Sequence, residues 1–340
     1  MSDKIKDAKP ETLEMTRRDF LIRLGYASGL ALAAGGLGLA LYDSKGPAPG
    51  EGQKALAGLG DYFLKTPAPG AAPMAIVRGA DRKAMFAQGI KALGGMEAFI
   101  QKGDRVLIKV NAAFATPASL GATTHPEILA AVADFCLKAG AAQVQATDNP
   151  INNPDSCFGI SGLAAAAKSS GARIIAPRPA LFSPVSLPQG KLIRDWPAMT
   201  GVFPGVTKVI VISPVKDHHR AGASLILKNY YGFLGGRRNV FHQDINGIIT
   251  ELALLLKPTL CVLDGTVSMM TNGPTGGSLS DLKETHTLVL STDPVAADAV
   301  GVELLGRTLA DVPYVQMAEK AGAGRADYRA LKPVILEAKD

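Results

Sequence analysis

Side chains able to do chemistry are concentrated in residues 213–246, SPVKDHHRAGASLILKNYYGFLGGRRNVFHQDIN. The stretch holds three of the protein's five histidines, His218, His219 and His242. With Lys208 just ahead of it come Lys216, Arg220, Lys228, Arg237 and Arg238. Imidazoles exchange protons near neutral pH, and ammonium and guanidinium groups hold carboxylates or phosphates. Gly222, Gly232, Gly235 and Gly236 allow close approach of backbone to a ligand, while Asn229, Tyr230 and Tyr231 add neutral hydrogen-bonding groups. The competing reading is a solvated basic loop, which is what runs of charge usually are. The mixture of imidazoles, glycines and amides favours a site for an anion, or for a metal with an anion.

Such a site must be positioned by its flanking elements. The apolar run 209–212 just before it reads as a buried strand. Similar strands are expected at 74–78, 106–110, 143–147, 173–175, 259–263 and 287–290. Helices are expected at 81–93, 126–139, 161–170, 244–256, 294–305 and 310–321, with Asp81 and Thr124 or His125 as caps. Strands alternating with helices of this length predict an α/β fold: βαβ units and a mainly parallel sheet flanked by helices. The ligand crevice is then expected at the carboxyl ends of the strands. Residues 177–207, with six prolines and Trp196, read as an insertion or a strand-poor cap.

Strand after predicted strand ends in polar residues: Lys109 and Asn111, Asp148 and Asn149, Lys216, Asp264, then Ser291 to Asp293. Asp and Asn are ordinary turn and cap residues, so each alone is bland, but the series falls at one end of the sheet. Two chemistries are open. A metal could sit between His218 or His219, His242 and Asp264, although the spacing does not itself specify one. Alternatively a histidine exchanges protons, oriented by Asp264, while Lys109, Lys216 and Arg237 hold a carboxylate or phosphate. The loop 271–277, TNGPTGG, could wrap a phosphate but lacks the Lys-Ser/Thr of a P-loop.

Cys136, Cys157 and Cys261 have no CxxC spacing and cannot build a four-thiolate cluster, so no iron–sulfur centre is expected from this chain's own cysteines. Cys157, in a Pro/Asn/Gly-rich loop, is the one expected to be exposed. The formal net charge is +6 over 340 residues. Removing residues 1–50 leaves 29 Lys+Arg against 24 Asp+Glu, a mild excess that suits small anions and is too dilute to suggest nucleic acid.

Near the N-terminus, Arg17 and Arg18 in TRRDFLI precede an uncharged stretch at 24–42. This resembles a twin-arginine export signal, predicting a periplasmic protein, either soluble or anchored by an uncleaved N-terminal helix. Residues 1–42 would be signal or anchor, the Gly/Pro/Ala-rich 43–73 a linker, and 74–335 a single α/β domain.

The motifs VLIKVN (106–111), TTHPEI (123–128), SPVKDHH (213–219), LILKNYYG (225–232), FHQDIN (241–246), VLDGTVSMMTNGPTGG (262–277) and STDPVAADAVG (291–301) resemble domain-of-unknown-function family 362. The resemblance spans roughly 74–306 and implies an α/β domain with one ligand site. It singles out Lys109, Asn111, Thr124, Lys216, His218, Lys228, Asn229, His242, Asp264, Asn272, Gly273, Pro274 and Asp293. It also implies association with ferredoxin-like modules, which here would have to reside on a partner. Two functions are therefore expected. One is a redox-linked enzyme acting on a small anionic substrate or cofactor. The other is a binding or maturation module for an iron–sulfur or membrane redox partner.

Overall fold

The computed structural model describes residues 16–42, 56–64 and 72–338. The chain divides into two compact units, 1–44 and 45–340. In the first, Arg17–Ala40 (α1) is a 24-residue helix that buries none of its side chains. Thr16 caps it, its hydroxyl accepting from the Asp19 amide at 3.2 Å. By length and composition α1 is able to cross a membrane.

The second unit is built on a nine-stranded sheet: Met74–Arg78 (β1), Arg105–Lys109 (β2), Gln143–Thr147 (β3), Arg173–Ile175 (β4), Lys208–His218 (β5), Gly222–Ser224 (β6), Leu260–Met269 (β7), Leu282–Ser291 (β8) and Val334–Glu337 (β9). The order is β9-β1-β8-β7-β5-β2-β3-β4, with β6 hydrogen-bonded to β5. Neighbours are parallel except that β8 runs antiparallel to both β1 and β7, and β6 antiparallel to β5. The sheet is therefore mixed and mostly parallel.

Apolar side chains alternate across the central strands. Val209 and Val211 of β5 enter one core, with Cys261 and Leu263 of β7. Ile210 and Ile212 enter the other, with Leu260 and Val262. That period of two is what lets a doubly covered parallel strand read as a continuous apolar run. Helices Arg82–Ala92 (α2), Pro126–Lys138 (α3), Pro154–Ile160 (α4) and Leu163–Ser169 (α5) contribute to the second core. Ile226–Asn229 (α6), Ile245–Leu255 (α7), Pro294–Leu304 (α8) and Pro313–Lys320 (α9) contribute to the first.

Three expectations need correcting. Strand β5 does not stop near residue 213 but runs on to His218, because Lys216, Asp217 and His218 pair with Ser224, Ala223 and Gly222. Cys157 is buried in α4, like the other two cysteines. The linker expected over 43–73 falls largely outside the described residues, but 56–64 packs on the body. Leu59 is buried, Gly60 and Asp61 pair with Leu256 and Lys257, and Tyr62 stacks on Phe203 at 6.1 Å. The 177–207 segment carries two short antiparallel strands, Ser183–Val185 and Trp196–Ala198. Trp196 there donates to Gly235 O at 3.2 Å and packs on Phe241, pinning the loop that follows α6.

Candidate functional site

Where β5 passes into the β6 hairpin, a cavity of about 100 Å³ opens, lined by Asn111, Phe114, Asp148, Lys216, His218, Lys228, Asn229, Tyr231, Arg238, His242 and Pro274 among others. Larger depressions exist, one of about 910 Å³ beside α2 and α3. Its acidic and basic groups are solvated, Lys138 pairing with Asp134 within one helix, so nothing buried converges there.

Lys109, at the end of β2, lies just beneath the cavity and is fully engaged. Its Nζ meets Asp148 Oδ1 at 2.7 Å and donates to Val110 O at 2.7 Å and Asn229 Oδ1 at 2.9 Å. Asp148 in turn accepts from the amides of Ala112 and Asn149. Gly232 makes room for this pair, since a Cβ there would fall 1.9 Å from Asp148 Oδ1. Lys109 is thus a buried structural partner, with no N–H left for a ligand. Burial pushes its pKa down, opposed by Asp148.

Lys216 donates to Ala122 O at 2.6 Å and to Asn111 Oδ1 at 3.4 Å, with its Nζ 5.3 Å from the Phe114 ring centre. Burial, then repulsion from Lys228, brings its pKa to about 7. Lys228 lies over the Tyr231 ring at 5.1 Å. Among the described residues its ammonium makes no hydrogen bond and no ion pair. Burial and Arg238 bring it to about 8. Arg238 braces the wall, donating to the carbonyls of Tyr231, Leu234, Asn149 and Pro150.

The two imidazoles carry opposite tautomers, fixed by their partners. His218 Nδ1 accepts from the amides of Arg220 and Ala221 at 3.2 and 3.1 Å, so its proton sits on Nε2. Burial and the surrounding cations bring His218 to about 2, so it stays neutral and donates. His242 Nδ1 lies 3.1 Å from Asn239 O, and a carbonyl only accepts, which leaves Nε2 with a free lone pair. Burial lowers its pKa as well. The rings stack at 6.2 Å.

Of the residues singled out from sequence, Asn111, Lys216, His218, Lys228, Asn229 and His242 come together here. Thr124 lies behind them, accepting from the Asn111 amide and donating to Ile212 O. Asp264 does not reach the imidazoles. It pairs with Arg82 at 2.8 Å and accepts from Thr266. Among the described residues no group of three His, Cys, Asp or Glu side chains converges as a metal would need, so the expected His218–His242–Asp264 triad is not assembled. Arg237 is exposed, and Arg238 takes the place expected for it. In the 271–277 loop Gly273 N donates to Asp217 and Asn272 Nδ2 to Asp281, so these two donors already serve carboxylates. The rings of His218, which ends β5, and His219, in the turn that follows, stack at 5.1 Å. Phe114 was not singled out as a site residue, and Tyr231 and Arg238 were noted only as part of the 213–246 stretch. An adjacent Arg pair carries no signal of which member turns inward.

The profile of Domain of unknown function (DUF362) matches residues 106–303, more than half of the chain. This protein belongs to the DUF362 family. The cavity-lining residues, from Asn111 to Pro274, all fall inside the matched segment, so the cavity is a feature of the DUF362 domain. The chain is similar to the thylakoid-associated protein sll1697 of Synechocystis sp., 26% identical over 241 residues, covering 68% of this chain and 73% of that protein. No solved structure matches it.

Proposed function

We propose that the DUF362 domain of this chain is an enzyme that binds a small molecule bearing a carboxylate or phosphate in the cavity and exchanges a proton with it through His242. One observation carries the reading: Lys228 faces the cavity without a counter-ion, while the cavity's carboxylate, Asp148, is already neutralised by Lys109. A buried ammonium, Lys216, a half-buried one, Lys228, and a guanidinium around so small a space are unfavourable until an anion enters. His218 Nε2–H would donate to the anion or to the oxygen beside the reacting carbon, Lys216 and Lys228 would supply charge, and His242 Nε2 the base.

The N-terminal helix and the twin arginines support export by the twin-arginine route to the periplasm, with α1 as signal or anchor. The three cysteines are buried, and burial raises their thiol pKa values. Electrons for a redox step would therefore come from a bound group or from a partner of the ferredoxin-like or membrane redox kind. The second reading, a non-catalytic binding or maturation module for such a partner, draws its support from α1 together with a thylakoid-associated relative.

Calorimetric titration with phosphate, sulfate and short carboxylates tests the site. Binding that weakens at least tenfold in Lys228→Met, about 1.4 kcal/mol or more, is expected. Equal affinity in the variant, or no heat with any of these anions, would sink the proposal.

A further inference from the structure

Lys228 is unusual beyond its charge. A buried lysine that only holds a structural position finds acceptors for all its N–H groups, as Lys109 does. Lys228 is half-buried on α6, lines the cavity, and has an aromatic face rather than an acceptor beside its Nζ. It also faces an Nε2–H donor, His218, and an Nε2 lone pair, His242, across the same small space. A free amine, a hydrogen-bond donor, a base and a second cation are the groups that condensation of an amine with a carbonyl requires.

We propose that Lys228 is a nucleophilic amine that forms an imine with a small carbonyl compound carrying an anionic group, a 2-oxo acid in its simplest form. This rests on the anion-binding reading above and names the substrate class. The Lys228 nitrogen adds to the carbonyl carbon, and the carbonyl π pair moves onto oxygen, which His218 Nε2–H hydrogen-bonds. His242 Nε2 carries one proton from the added nitrogen to that oxygen, giving the carbinolamine, and then carries the second nitrogen proton to the departing hydroxyl. Water leaves, and the C=N bond replaces C=O with no change of oxidation state. Lys216 and the mouth of the cavity hold the carboxylate. The lowered pKa of Lys228, about 8, leaves a usable neutral fraction at neutral pH.

Trapping gives the test. Full-length protein in mild detergent is incubated with pyruvate and cyanoborohydride, which delivers a hydride to an imine and leaves a stable secondary amine. Peptide mass mapping then locates the product. The expected result is a single adduct on Lys228, forming at least tenfold faster than on surface lysines and absent in Lys228→Arg. Lys228→Met, checked for its fold by circular dichroism, serves as a second variant. An adduct on Lys216, or labelling no faster than at surface lysines, overturns the assignment. Calorimetry with pyruvate and phosphate but no reductant separates the two ideas. Reversible binding without trapping removes the imine and keeps the anion site, whereas absence of binding removes both.

Discussion

At the scale of single residues, charge pairing sorts the lysines around the cavity into different kinds. Lys109 belongs to the fold. Replacing it with Met strands Asp148 among buried amides, and a loss of about 3–5 kcal/mol is expected from chemical denaturation. Lys109→Met with Asp148→Asn should recover part of that loss, because the uncompensated charge goes. In the proposed reading Lys216 and Lys228 serve the ligand, and their titration gives a pH signature. Folding depresses Lys216 from 10.5 to about 7, so the charged form is penalised in the native state. The penalty is full below about pH 7 and fades as pH rises toward 10.5, so without ligand stability should climb across that window. Anion affinity should run the other way, falling as pH passes 7 to 8 and both amines lose their protons. Calorimetry in two buffers of different ionisation heat should show proton uptake on binding near pH 7.5, and proton release would contradict this account.

At the scale of elements, the cavity depends on how the β5–β6 hairpin, α6 and the 271–277 loop are fastened together. Asp217 fastens two of them, accepting from Gly273 N at 2.8 Å and pairing with Arg307 at 2.6 Å. Asp281 fastens the loop from its other end, through Thr271, Asn272 and Ser278. Asp281→Ala should raise amide hydrogen exchange across 271–277 and weaken anion binding modestly, while the melting temperature of the body moves little. This scale also marks the limit of what the sequence discloses. Strands such as 74–78 and 143–147, and the Asp81 and His125 caps, were legible because each is a local apolar run or a local hydrogen bond. Strand β5 beyond Ile212 was not, because Pro214 and Lys216 break the apolar pattern and its partner, β6, is a three-residue strand. The imidazole and ammonium cluster was legible as a composition. That Asp264 turns to Arg82, a residue 182 positions earlier, is a tertiary fact without a local trace.

At the scale of the whole molecule, the proposed reading gives α1 the address and the DUF362 domain the chemistry. Arg17→Lys with Arg18→Lys should leave the protein in the cytoplasm, while Arg23→Lys should not, as cell fractionation would read. Export of the double variant at the ordinary level would exclude the twin-arginine route. Such a route carries chains already folded, and the buried cysteines suit that order of events. They also make the native protein nearly silent toward thiol reagents. A single cysteine placed at Ile151, which lines the cavity mouth and is 66% exposed, would be the one reactive thiol on the folded surface. A fluorophore attached there would report a ligand's arrival directly, on the wild-type complement of charges, and turn the cavity into its own sensor.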